Sequence, residues 1–188
     1  MQATCELILG GQKSGKSRRG ESLAADWLAE APAHRAVLLA TGQAHDEEMR
    51  ERIARHRVDR AARVARLETV EEPLHIGEAL RALDDPQTLV VVDCLTLWLT
   101  NQLMPEMQGP TPSTMSAQID ALLAALGEAR GPVVLIGNEI GLGVIPLGRE
   151  VRAFVDALGI LNQRVAAACD RVTLMVAGLP LVLKGEAR

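Results

Sequence analysis

The feature that most restricts this chain is an eight-residue run, Gly10-Gly11-Gln12-Lys13-Ser14-Gly15-Lys16-Ser17, set between two ordered stretches. Before it stands the apolar run Cys5 to Leu9, and after it Ser17 to Ala31 can form a helix that ends before Pro32. Glycines let the backbone curl so that several N–H groups converge on one point. A helix that starts there adds its own unpaired N–H groups and the positive end of its dipole. Such a concavity suits an anion, and G-x-x-x-x-G-K-[ST] between strand and helix is the pattern of a P-loop. In that pattern Lys16 reaches the β/γ-phosphates of a nucleotide and the Ser17 hydroxyl binds Mg²⁺. The competing reading is a glycine-rich turn closed by a helix cap at Ser17. Lys13 either adds charge at the phosphates or is simply solvated.

Downstream, strand and helix patterns alternate. Ala36 to Ala40 reads as a strand, and Asp46 to about Arg60 as a helix with Glu47 and Glu48 near its positive end. Leu74 to Leu83 is a short helix stopped by Asp84-Asp85-Pro86. Thr88 to Val92 is continuous and β-branched, as a parallel strand buried on both faces requires, and Asp93 stands at its carboxyl end. That aspartate is the natural carboxylate for Mg²⁺, the alternative being a strand-end residue that caps the next helix. Leu95 to Leu103 predicts a helix, Pro105 to Ser116 a surface excursion, Met115 to Leu126 a helix and Pro132 to Ile136 a buried strand. Glu150 to Cys169 predicts a long helix interrupted at Gly159, and Val172 to Val176 with Leu179 to Leu183 a strand pair around Gly178. The expected fold class is α/β: a RecA-like P-loop NTPase with a mostly parallel sheet and helices on both faces, in one domain spanning 1–188.

Composition narrows the function. With 188 residues, 48% of them hydrophobic, the chain can build one sizeable core. Apolar runs such as Val133 to Ile136 are strand length, far below the roughly 20 residues of a membrane span. The N-terminus lacks the basic start and long apolar core of an export signal, so a cytoplasmic protein is expected. Cys5, Cys94 and Cys169 are odd in number and widely spaced, which suggests buried thiols rather than disulfides or a metal cluster. Aromatics number three, Trp27, Trp98 and Phe154, and the net charge is −4. Neither a base-stacking platform nor a polyanion-binding surface fits those figures, and no nucleic-acid partner is expected.

One segment runs against the overall charge: seven arginines lie between Arg50 and Arg66. Glu48, Arg52, His56, Arg60 and Arg63 recur at helical spacing and share one side. A solvated, ion-paired surface helix accounts for this pattern. The functional alternative makes His56 a nucleophile toward phosphorus, with Arg52 and Arg60 stabilising the transferred charge. The loop Asn138-Glu139, after a buried strand, lies where α/β sheets present ligand-binding groups, or else is a polar turn bent at Gly141 and Gly143.

Several blocks together resemble the bifunctional cobinamide kinase/cobinamide-phosphate guanylyltransferase family of cobalamin biosynthesis. They are Leu9 to Arg18, Asp46 to Met49 with Arg52-Ile53, His56-Arg57 and Arg60, Asp93 to Asn101, and Asn138 to Pro146. Arg149, Arg152, Phe154, Asp156, Gly159, Asn162-Gln163 and Ala177 to Pro180 follow in the family's order. The resemblance implies phosphorylation of adenosylcobinamide by ATP or GTP, then transfer of GMP from GTP to adenosylcobinamide phosphate through a guanylylated histidine. It places His56 as that histidine, Lys16, Ser17 and Asp93 as phosphate and Mg²⁺ positions, and Glu68 as a contact to the guanosine ribose. It also implies a homo-oligomer such as a trimer. The chain departs from the family between His56 and Glu68, where Arg60-Ala61 and Val64-Ala65-Arg66 replace Arg-Pro and Trp-x-Thr, and at Val155. A P-loop small-molecule kinase without the second activity, or a nucleotide-dependent regulatory protein, are the rival functions.

Lys16→Ala removes the ammonium while keeping a strong helix former. Phosphorylation of cobinamide should fall about a hundredfold or more, the scale for loss of a preorganised charge contact. Steady-state kinetics beside urea unfolding checks this, and a folded variant with unchanged turnover refutes it.

Overall fold

Runs that alternate side chains to opposite faces can be buried only between two layers, and the runs at 5–10, 36–39, 88–92 and 133–136 are buried on both. The computed structural model describes residues 5–44, 46–103 and 112–186. In chain order the elements are β1 (Cys5–Gly10), α1 (Lys16–Glu30), β2 (Arg35–Ala40), α2 (Glu47–Arg63), β3 (Leu67–Glu71), α3 (Ile76–Ala82) and β4 (Thr88–Asp93). They continue with α4 (Leu95–Leu103), α5 (Pro112–Glu128), β5 (Val133–Ile136), α6 (Arg149–Ala168), β6 (Arg171–Val176) and β7 (Leu179–Lys184).

The seven strands form one sheet in the order β3-β2-β4-β5-β1-β6-β7. All neighbours pair in parallel except β6 and β7, which form an antiparallel hairpin. Its turn, Ala177-Gly178, has positive φ at both residues (52° and 81°), the backbone that matches the twist of a tight hairpin. On one face Leu7, Leu9, Val92 and Leu135 pack against Ile76, Trp98, Leu122, Leu158 and Leu161 from α3 to α6. On the other, Ile8, Leu38, Val91, Val134 and Ile136 meet Ala24 and Leu28 of α1 and Val64 after α2. The expected parallel sheet with helices on both faces is therefore present. Gly20 brings α1 close: a Cβ there would stand 2.9 Å from Ile136 Cδ1.

Three expectations need correction. No strand was foreseen between Arg60 and Leu74, yet β3 occupies Leu67–Glu71 at the sheet edge. Its residues are mostly exposed, so it carries no apolar signal, and backbone pairing to β2 alone defines it. The long helix α6 runs through Gly159 without a break, because Leu158 and Leu161 beside it are buried against the sheet. The excursion expected at Pro105 to Ser116 falls partly outside the described residues, and from Pro112 onward it is already α5. Among the described residues no helix is long and apolar enough to cross a membrane, and the three cysteines are free and buried.

Leu135 is wholly buried at the centre of the sheet. Leu135→Ala should cost about 2–5 kcal/mol, the usual range for a buried leucine, read from the midpoint of urea unfolding.

Candidate functional site

The glycine loop between β1 and α1 folds as a concave turn. Gly10 (φ 153°), Lys13 (φ 55°) and Gly15 (φ 99°) carry the positive φ values that curl it. A Cβ on Gly10 would lie 2.5 Å from the Met175 carbonyl oxygen and 2.6 Å from Ser14 Oγ, so only glycine fits. Gly15 caps α1 without a side chain, leaving the first N–H groups of the helix facing the loop. Lys16 is buried, and its Nζ donates to the Gly11 carbonyl at 2.6 Å, which holds the ammonium inside the curl. Ser14 Oγ is buried with no partner among the described residues. Gly11, Gln12 and Lys13 are exposed, and Ser17 is half-buried. A neighbouring turn braces the loop, since Gly178 N donates to Ser14 O at 3.0 Å.

Asp93 ends β4, in register with Ala40 of β2 and Ile136 of β5. Next to it, burial pushes the Cys94 thiol up to about 11; Asp93 adds to the rise and Lys16 opposes it. The ammonium and the carboxylate thus act on one neighbourhood. Thr41, wholly buried, locks this edge: its hydroxyl donates to Cys94 O and accepts from Cys94 N, both at 2.8 Å, while its N–H donates to Asp93 O. Among the described residues no group of three or more His, Cys, Asp or Glu could hold a metal ion. A site with one hydroxyl, Ser17, and one carboxylate, Asp93, fits Mg²⁺, which keeps waters and takes its remaining ligands from phosphates.

The loop after β5 is tied to the same place. Gly137 N donates to Ile8 O and Glu139 N to Gly10 O, which sets Asn138 and Glu139 beside the start of the glycine loop. Asn138 N donates to Thr96 Oγ1 at 2.8 Å, and the buried Asn162 donates from Nδ2 to Asn138 O at 3.1 Å. Glu139 turns its carboxylate to Gly141 N.

Farther along the carboxyl edge stands α2. Asp46 caps it by accepting from Met49 N at 2.7 Å, and Glu47, Glu48 and Arg60, Arg63 complement its dipole. Positions 52 and 56 lie in this helix, and the side chains of Arg52 and His56 are outside those described. Two open clefts of about 360 and 350 Å³ flank α2, and both are lined by Arg57 and Glu71, which pair with each other. Arg60 lines the first cleft and donates to Thr69 Oγ1 at 3.3 Å. Burial lowers the Arg60 guanidinium pKa, while Glu21 and Asp93 favour its charge. Glu68 lies elsewhere: near the start of β3, it pairs with Arg35 at 3.0 Å, both exposed. The carboxylate lining both clefts is Glu71, and Thr69 lines the first of them. Sequence reading passed over Glu71, Thr69 and Thr41; Thr41 directly follows the strand expected at Ala36 to Ala40, whereas Glu71 stands out as a strand end only once β3 is recognised.

Fold and loop define an α/β protein that gathers a glycine-rich anion cradle, a lysine and an aspartate at the carboxyl edge of a largely parallel sheet. Residues 6–183 match the family described as cobinamide kinase / cobinamide phosphate guanyltransferase. The bifunctional adenosylcobalamin biosynthesis protein CobP of Pseudomonas aeruginosa is 48% identical over 182 residues, covering 96% of this chain and 98% of that protein. CobU of Escherichia coli, of the same description, is 34% identical over 187 residues, 95% of this chain and 98% of that one. The chain belongs to the cobinamide kinase/cobinamide phosphate guanyltransferase family. In fold alone it is similar to the flagellar accessory protein FlaH from Methanocaldococcus jannaschii, with a TM-score of 0.54 at 10% identity over 97% of this chain and 79% of that one.

Gly10→Ala should drive its methyl group into the Met175 carbonyl and the Ser14 hydroxyl and open the cradle. Nucleotide binding measured by calorimetry should weaken about tenfold or more, equivalent to ~1.4 kcal/mol. An unchanged dissociation constant would show that the loop tolerates the methyl group and that its curl does not matter for binding.

Proposed function

We propose that this chain phosphorylates adenosylcobinamide and then transfers GMP from GTP to adenosylcobinamide phosphate, forming adenosylcobinamide-GDP and pyrophosphate. The observation that carries the reading is the family match over residues 6–183, with relatives aligned along 98% of their own lengths. The sheet order supports a RecA-like P-loop class, because β5 stands between the loop strand β1 and the Asp93 strand β4.

In this reading Gly10 to Ser17 cradle the phosphates of ATP or GTP, with Lys16 drawing charge from the β/γ-phosphates. Ser17 and Asp93 hold Mg²⁺, which when bound neutralises phosphate charge. Asn138 and Glu139 border the cradle on the β5 side. His56 is the guanylyl carrier. A neutral imidazole nitrogen attacks the α-phosphorus of GTP, the bond to pyrophosphate breaks, and a phosphate oxygen of the corrinoid then attacks the same phosphorus, breaking the N–P bond and restoring the imidazole. Arg52 and Arg60 stabilise the charge during transfer. For the ribose contact we favour Glu71 over Glu68, since Glu71 lines both clefts beside α2.

Exposed apolar side chains support a homo-oligomer, and a trimer is our choice of assembly. Leu142, Val144, Ile145 and Leu147 form a run 76–97% exposed, more apolar surface than an isolated chain usually leaves in water. We place the enzyme in the cytoplasm, where its nucleotide substrates are.

The test incubates the protein with adenosylcobinamide, Mg²⁺ and GTP and identifies corrinoid products by mass spectrometry. Both the phosphate and the GDP ester should form. His56→Asn should abolish the GMP–protein adduct, with phosphorylation still measurable; intact-protein mass spectrometry without acid reads the adduct, since phosphoramidates are acid-labile. The same stoichiometric adduct in folded His56→Asn overturns the role of His56. Phosphate without the GDP ester in the wild type leaves a kinase alone.

A further inference from the structure

Helix α2 is held in an unusual way. None of its described residues is buried: Met49, Ile53 and Arg60 are half-buried and the rest exposed. A 17-residue helix normally docks through a broad apolar stripe, and among its described residues this one turns only the apolar Met49 and Ile53 inward, both half-buried. Its position therefore depends largely on three polar ties to two other elements, β3 and α1. Arg57 pairs with Glu71 and Arg60 reaches Thr69, both contacts between groups open to water, which competes with them. The third tie differs. Arg63 Nε lies 2.8 Å from Glu21 Oε2, and the Glu21 side chain is only 6% exposed.

Glu21 belongs to α1, four residues and one helical turn beyond Ser17. Burial pushes its carboxyl pKa up, Arg63 and Arg60 pull it down, and Asp93 and Asp59 push it up again. Arg60 in turn feels both Glu21 and Asp93. The one ion pair that α2 makes to a buried carboxylate, among the described residues, thus goes to the helix that begins at the phosphate loop. Its charges also reach the strand-end aspartate of that loop's metal site. Arg63 is 42% exposed, so the buried partner is Glu21, and removing Arg63 would leave that carboxylate without the opposite charge beside it.

We propose that Glu21 is a positioning residue that sets α2, the helix bearing position 56, in register with the phosphate loop through Arg63, and so governs guanylyl transfer without touching substrate. This rests on the reading of His56 as the guanylyl carrier. Glu21 supplies the fixed point: α1 is anchored on the sheet by Ala24 and Leu28, and α2 hangs from it by charge. Phosphorylation of cobinamide draws on the loop, Lys16 and Asp93, and does not need α2 in that register.

The test combines two measurements on Glu21→Gln, Arg63→Gln, the double variant and Glu21→Asp. In the nucleotide-free protein, hydrogen-exchange mass spectrometry should show α2 amides exchanging about tenfold faster in Glu21→Gln, with α1 and the core strands unchanged. With GTP and Mg²⁺, kcat for guanylyl transfer should drop about tenfold, while KM for GTP and the phosphorylation rate stay within about twofold. The double variant should be no worse than the poorer single one, because both remove one contact. Glu21→Asp, which keeps the charge, should recover part of the rate. Unchanged α2 exchange in Glu21→Gln overturns the proposal, as does an equal fall of both activities together with melting temperature, which marks a general structural role. If the wild type forms no adduct on His56, the functional reading fails by itself, and the exchange measurement still decides whether Glu21 positions α2.

Discussion

Parallel pairing is the constraint on which the rest of this molecule depends. Six strands run the same way, so their carboxyl ends, Gly10, Ala40, Glu71, Asp93, Ile136 and Val176, emerge along one edge. Strands in this arrangement must be covered on both faces, and the connections that cover them return as helices. Each loop leaving that edge therefore points into the same space. The glycine loop, Asp93, the Asn138-Glu139 turn and the clefts beside α2 are neighbours for that reason, although the chain separates them by up to 129 residues between Gly10 and Glu139.

Along this edge two kinds of surface stand side by side. At β1 and β4 the surface is mostly backbone, a curled loop and a helix start around the buried Lys16 ammonium, with Thr41 fixing the end of β2 to Asp93 and Cys94. At β3 and α2 side chains supply it, chiefly arginines matched to Glu21, Glu71 and Thr69. The first surface is rigid because apolar packing lies directly beneath it. The second is held chiefly by charge, with little apolar packing from α2.

Much of the phosphate loop was legible in advance. Its eight residues are contiguous, glycine has few substitutes at Gly10 and Gly15, and Asp93 follows a run whose β-branched composition already implies a buried strand. The strands with apolar runs and the helices between them were also readable, to within a few residues at most ends. The edge strand β3 was not, since Glu68, Thr69, Val70 and Glu71 are exposed and hold their conformation by pairing with β2 rather than by burial. That strand separates two carboxylates that sequence spacing does not distinguish. Glu68 sits near its start beside Arg35, and Glu71 at its end beside Arg57.

What the sequence by itself determined, then, is whatever adjacent residues encode: the period of each element, the curl of the loop, the basic character of α2 and the resemblance that its ordered motifs carry. Tertiary structure alone decided the order of strands, which placed β5 between β1 and β4, and the pairs it created, Glu21 with Arg63 and Asn162 with the Asn138 carbonyl. Those pairs join residues 42 and 24 positions apart. Nothing local specifies them, because a side chain's partner across a sheet or between helices follows from how whole elements stack, and stacking is settled by the sum of burial over both faces rather than by any one segment.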